Sequence, residues 1–124
     1  MVSDDVIVKN ELLNNSRSIY AYYSEMYHEF VAYGFSAYLS LMICKAVGAD
    51  VREDYSKELQ MPMVIIDQQK MDVIKHECVI LKDSIERAFY HLICNQIIDD
   101  RKYDEWAYWL RCNCSVNRKR PKVF

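Results

Sequence analysis

Residues 65–98 read IIDQQKMDVIKHECVILKDSIERAFYHLICNQII. Met71, Ile74, Cys78, Leu81, Ile85, Ala88 and Leu92 alternate spacings of three and four. On a helix that spacing sets all of them on one seam. No Gly or Pro interrupts the run, and either would be costly inside a helix. The spacing therefore predicts one long helix over 63–98, with Pro62 at its first position, where a missing amide is tolerated. So long a seam needs an equally long partner, and residues 17–47 supply one. There Ile19, Tyr23, Met26, Phe30, Tyr33, Ala37 and Cys44 form a heptad-like stripe. Gly48 follows as a stop signal of the kind that ends helices. The expected fold is all-α: a small helical bundle on two long antiparallel helices, about 17–47 and 63–98, with shorter flanking helices.

The flanks fit that scheme. Ser3 before Asp4 and Asp5 suits a short N-terminal helix, although Val6-Ile7-Val8 also suits an extended arm. Asp50 with Glu53 resembles a capping pair for a short helix over 51–59. Trp106, Trp109 and Leu110 suggest a last helix over 103–111. The expected organisation is a helical domain over 1–112 and a basic C-terminal tail over 113–124.

The composition supports long helices in one domain. The 124 residues are 52% hydrophobic, with only two Gly and two Pro to spend on tight turns. Mean hydropathy is −0.21 and the longest mostly apolar run, 30–44, is too short and polar to span a bilayer. No membrane association is expected. The start shows no charged-then-apolar leader, and the five cysteines are odd in number and irregularly spaced. Reduced thiols in an intracellular, cytoplasmic protein follow from this reading, or a nuclear one if the source is a eukaryote or its virus. Charge is uneven. Eleven basic and 18 acidic residues precede Arg111, giving −7, while the last fourteen residues carry +5. That asymmetry concerns partners.

Four groups of residues carry the functional expectations. Six of the ten tyrosines lie between positions 20 and 38. Tyrosine combines an apolar body with a polar tip and is enriched at interfaces. Tyr20, Tyr27, Val31 and Tyr38 around Gly34 are expected to form a partner-binding face, used for a homodimer or a foreign protein. Arg118, Lys119, Arg120 and Lys122 form a basic cluster suited to nucleic acid or an import receptor. His91 and Cys94, with Cys112 and Cys114, are the residue types zinc takes. The simpler reading makes Cys94 a small core residue and the tail cysteines free thiols, so no cofactor is expected. Glu25 and His28 have the spacing of carboxylate-bridged metal helices, but no second pair exists to complete such a site.

Catalytic apparatus is missing from the pattern. Glycines at 34 and 48 alone build no phosphate-cradling loop, and no Cys-x-x-Cys pair occurs. The expected function is a non-enzymatic protein-binding module, a small regulator or inhibitor that occupies a partner's surface. The second reading is a nucleic-acid-associated protein acting through its basic tail.

Overall fold

A computed structural model describes residues 3–14, 17–84, 89–94 and 98–119, with the side chains of 81–84 and 114–119 left out. It corrects the all-α expectation. The fold is α+β, built on a six-stranded antiparallel sheet. The chain runs α1 (Asp4–Leu12), β1 (Ser18–Ser24), β2 (Glu29–Tyr33), α2 (Gly34–Ala46), β3 (Arg52–Ser56), β4 (Met61–Ile66), α3 (Gln68–Glu77), β5 (Val79–Ser84), β6 (Phe89–Ile93) and α4 (Asp100–Lys119). The expected 17–47 helix is hairpin β1–β2 followed by α2. The expected 63–98 helix is the end of β4, then α3, β5 and β6. The expected helix over 51–59 is β3 and the turn after it.

After α1 a hairpin followed by a helix recurs three times, and the three hairpins share one register. Their last pairs are Ser24↔Glu29, Ser56↔Met61 and Ser84↔Phe89. In each case a serine ends the first strand and four residues separate it from the second. In the first two turns the serine hydroxyl accepts an amide three residues on, from Tyr27 to Ser24 at 3.4 Å and from Leu59 to Ser56 at 3.2 Å. His28 (φ 56°) and Gln60 (φ 54°) then take the left-handed conformation before the second strand. Glycine is the usual residue for that role. These turns do without it, so the low glycine count misdirects toward helix.

The apparent seams also have a physical explanation. A spacing of four keeps side chains on one side of a helix, and being even, it does the same on a strand. Ile19 with Tyr23, and Ala88 with Leu92, satisfy both templates. Strand-favouring residues decide β1: Ser-Ile-Tyr-Ala-Tyr-Tyr-Ser suits a pleated surface.

The hairpins lie side by side in the order β3-β4-β2-β1-β6-β5. Ile19, Ala21, Phe30, Ala32, Val64, Ile66, Tyr90 and Leu92 face one side of the sheet and form its core with α2 and α3. α2 contributes Ala37, Leu39, Leu41, Ile43 and Cys44, and α3 contributes Met71 and Ile74. The Met71–Ile74 spacing is helical as read, but the helix ends at Glu77. α4 closes the β3 side. Its Tyr103 ring lies 4.4 Å from Phe35, its Trp106 ring 5.1 Å from Tyr38, and Trp106 Nε1 donates to Glu53 at 2.7 Å. α4 carries helical backbone past Asn113, where the sequence suggested a tail, to Lys119. No helix among the described residues is long and apolar enough to cross a membrane.

Leu92 is fully buried on β6, whereas Ile80 on the edge strand β5 is 45% exposed. Leu92→Ala should cost about 2–5 kcal/mol in urea unfolding, and Ile80→Ala under about 1 kcal/mol. Equal costs would contradict the placement of β5 at the exposed edge of the sheet.

Candidate functional site: the open sheet face and the Glu11 junction

Alternate residues of the same strands form the other side of the sheet. Across β6, β1, β2, β4 and β3 the register aligns Phe89, Tyr22, Val31, Ile65 and Arg52 in one row. Tyr20 sits opposite His91, and Tyr33 opposite Met63. Val31, Met63 and Ile65 are buried here against Tyr27 and Tyr33, forming a second, smaller apolar cluster. The Arg52 guanidinium lies 5.8 Å from the Tyr27 ring centre, close enough for attraction to its π-face.

Aromatic rings continue from that cluster across the centre of the sheet. Tyr20 stacks on His91 at 4.3 Å, Phe89 lies 5.3 Å from Tyr22, and Tyr22 lies 6.3 Å from Tyr33. Tyr20, Tyr27, Tyr33, Phe89 and His91 are all half-buried. His91 Nε2 is 3.3 Å from the Ser18 hydroxyl. Where α1 approaches, Asn10 donates to the Tyr22 hydroxyl at 2.9 Å. Burial pushes the Tyr22 hydroxyl well above its ordinary range and that of Tyr33 up to about 12. Both stay protonated near neutral pH and can donate hydrogen bonds.

The structure regroups the five residues expected on one partner-binding seam. Tyr20, Tyr27 and Val31 share this sheet face. Tyr38 lies on α2, packed against Tyr103 and Trp106. Gly34 is at the junction of β2 and α2.

That junction holds a site the sequence did not reveal. β2 leaves the sheet at Tyr33, and Tyr20 of β1 loses the strand neighbour it would have had. The Tyr20 amide instead donates to Ser36 Oγ at 2.9 Å. The Ser36 hydroxyl donates to Glu11 Oε2 at 2.6 Å, and the Ser36 amide to Glu11 Oε1 at 3.4 Å. Tyr33 provides no side-chain cap for α2, so Glu11 of α1 fills that role from another element. Asn14 joins the network, donating to Ser18 O at 2.8 Å and accepting the Ser18 amide at 3.3 Å. Gly34 has φ +58°, and a Cβ there would lie 2.9 Å from Glu11 Oε1. Around the carboxyl, Val8, Leu12, Phe35, Leu59, Met61 and Tyr103 line an apolar pocket of about 270 Å³. The one sequence signal for Glu11 is its place four residues after Ile7, on the buried side of α1.

The expected zinc ligands separate. On β6 a spacing of three reverses the side chain, so His91 joins the open face while Cys94 is buried in the main core. Cys112 is exposed on α4, and the Cys114 side chain lies outside the described residues. No group of three or more metal-binding side chains converges among the described residues. Of the basic cluster, Arg118 and Lys119 end α4 with side chains outside the description, and Arg120 and Lys122 lie wholly outside the described residues. Glu25 and His28 fall in the first hairpin turn.

Compared with known proteins, the chain matches no family model, no curated protein and no solved structure.

Burial raises the Glu11 carboxyl from 4.5 to about 7, against hydrogen bonds from Ser36 and Asn14 that lower it. The folded chain thus holds this proton more tightly than the unfolded chain. The resulting stabilisation is complete below pH 4.5 and is lost as pH rises through about 7. Glu11→Gln should flatten this decline, worth at most about 3 kcal/mol by the free energy of a pKa unit. Urea unfolding at pH 5 and pH 8 measures it, and an unchanged slope would contradict the assignment. Gly34→Ala should cost about 1–2 kcal/mol from its left-handed backbone alone.

Proposed function

We propose that the chain is a non-enzymatic protein-binding module, a small regulator or inhibitor, whose contact surface is the tyrosine-rich open face of the sheet. The observation that carries this reading is the row of half-buried Tyr20, Tyr27, Tyr33, Phe89 and His91 beside the Val31–Met63–Ile65 cluster. Rigid aromatic side chains lose little conformational entropy on binding, and interface cores are depleted in charge. Strand backbone holds most of these rings, so the surface is largely preorganised.

The first occupant to consider is a second copy. Tyrosine hydroxyls both donate and accept, so a tyrosine face can meet itself across a two-fold axis without opposing like charges. The same surface serves a foreign protein if the chain does not self-associate. A second reading has one observation in its favour. Stacked rings on a sheet can also stack on the bases of single-stranded nucleic acid, with the basic C-terminal segment adding charge. The acidic body opposes that, because its −7 repels phosphates.

Light scattering at micromolar concentrations should give twice 14.8 kDa. Tyr20→Glu with Tyr27→Glu should return it to one chain mass while circular dichroism is unchanged. A monomeric parent removes the homodimer, and a doubly substituted dimer removes this face. Steeply salt-dependent binding of a single-stranded oligonucleotide, lost in the double variant, would favour the nucleic-acid reading instead.

A further inference from the structure

The third hairpin opens onto two cysteines. β5 and β6 pair Val79 with Ile93, so the next antiparallel positions outward are Cys78 and Cys94. Cys78 has extended backbone, φ −126° and ψ 164°, and so continues the line of β5 beyond the end of α3. The Cys94 amide donates to Arg17 O at 3.0 Å, on the β1 side. An antiparallel residue that directs its amide to one neighbour is a non-hydrogen-bonded position toward the other. Cys78 and Cys94 therefore form a narrow pair, for which the Cα separation is about 4.5 Å, at the short end of what a disulfide spans. Both side chains lie on the covered side of the sheet, Cys94 in the core and Cys78 packed against it. The two thiols are near enough to share a hydrogen bond. Cys94 is buried and Cys78 half-exposed, so a reagent reaches this pair through Cys78.

We propose that Cys78 and Cys94 are a modification site, closing reversibly to a cross-strand disulfide with a low-molecular-weight disulfide as oxidant. The Cys78 thiol gives up its proton and attacks one sulfur of the reagent. The reagent's S–S bond breaks, one reagent thiol leaves with a proton, and Cys78 carries a mixed disulfide. The Cys94 thiolate then attacks the Cys78 sulfur and expels the second reagent thiol, which takes the other proton. Two cysteines are oxidised by two electrons in all, and one reagent disulfide is reduced to two thiols. The hydrogen bond between the thiols and their burial raise the Cys78 pKa. The first attack is therefore slow at neutral pH and accelerates in alkali. The second is intramolecular between side chains that the strand register places opposite one another, so the mixed disulfide does not accumulate.

The test incubates the reduced full chain with glutathione disulfide at pH 8.5, quenches with acid and digests with trypsin without reduction. Cleavage after Lys75, Lys82, Arg87 and Arg101 leaves Cys78 in peptide 76–82 and Cys94 in peptide 88–101. The expected product is these two peptides joined, with a mass lower by two hydrogen atoms, separating on addition of dithiothreitol. The same product should form in a chain carrying Cys112→Ser and Cys114→Ser and be absent with Cys78→Ser. Glutathione adducts persisting on Cys78, or both thiols unmodified while Cys112 is glutathionylated, would overturn the proposal.

Discussion

One serine hydroxyl holds the centre of this structure together. β1 is flanked by β2 and β6, and its backbone groups must find partners where β2 turns away to become α2. A buried amide left without a partner costs about as much as a lost hydrogen bond, and usually more. Ser36 meets that need at Tyr20, from the first turn of the helix that caused the gap. The hydroxyl is itself held by Glu11, so the oldest element in chain order is tied to the first strand-to-helix junction. Gly34 makes this possible twice over. It supplies the left-handed bend into α2, and its missing side chain leaves room for the carboxyl. Strand, helix and N-terminal segment thus meet at one polar point inside an otherwise apolar core.

The two sides of the sheet follow from that arrangement. α2, α3 and α4 lie over one side, where small alanines at 21 and 32 let α2 sit close to the sheet. The opposite side takes the larger side chains of the same strands, mainly tyrosines. A tyrosine can shield an apolar neighbour with its ring while its hydroxyl stays with water. Tyr27 and Tyr33 pack in this way against Val31, Met63 and Ile65, and Ile7 of α1 lines the same face beside Val31 and Tyr33. The same property underlies the proposed contact with another protein.

What could be read from the sequence was mostly helical and local. Ser3 accepts an amide at the start of α1, Gly48 follows the end of α2, and Met71 and Ile74 lie on one side of α3. Of Trp106, Trp109 and Leu110, read as one packed group, Trp106 and Leu110 do pack from α4, while Trp109 is exposed. The strands were missed because their turns lack the expected residues. His28 and Gln60 stand where glycine is usual, and the informative signal was the serine that ends the first strand of each hairpin, at 24, 56 and 84. Three such serines, each between strand-favouring runs, outweigh a heptad pattern whose even spacings suit either structure. Tyr20, Tyr27 and Val31 stay on one face because the β1–β2 hairpin register sets Tyr22 opposite Val31. Tyr38 was misplaced because the chain passes from strand to helix between Val31 and Tyr38. Glu11 gave almost no signal, since its importance depends on Ser36, 25 residues away.

The order of the strands also has a consequence for synthesis. Hairpins β1–β2 and β3–β4 can join as soon as residue 66 has left the ribosome, because β2 pairs with β4. The other side of β1 cannot be filled until β6 emerges, since Ser18 waits for Ile93. A nascent four-stranded sheet would meanwhile expose β1, its most tyrosine-rich strand, as an unpaired edge. Such edges recruit other chains, and contacts this distant form slowly. The interval between residues 66 and 93 is therefore when the growing polypeptide is most exposed to misassembly, and arrival of the third hairpin ends it by converting an edge into the middle of the sheet.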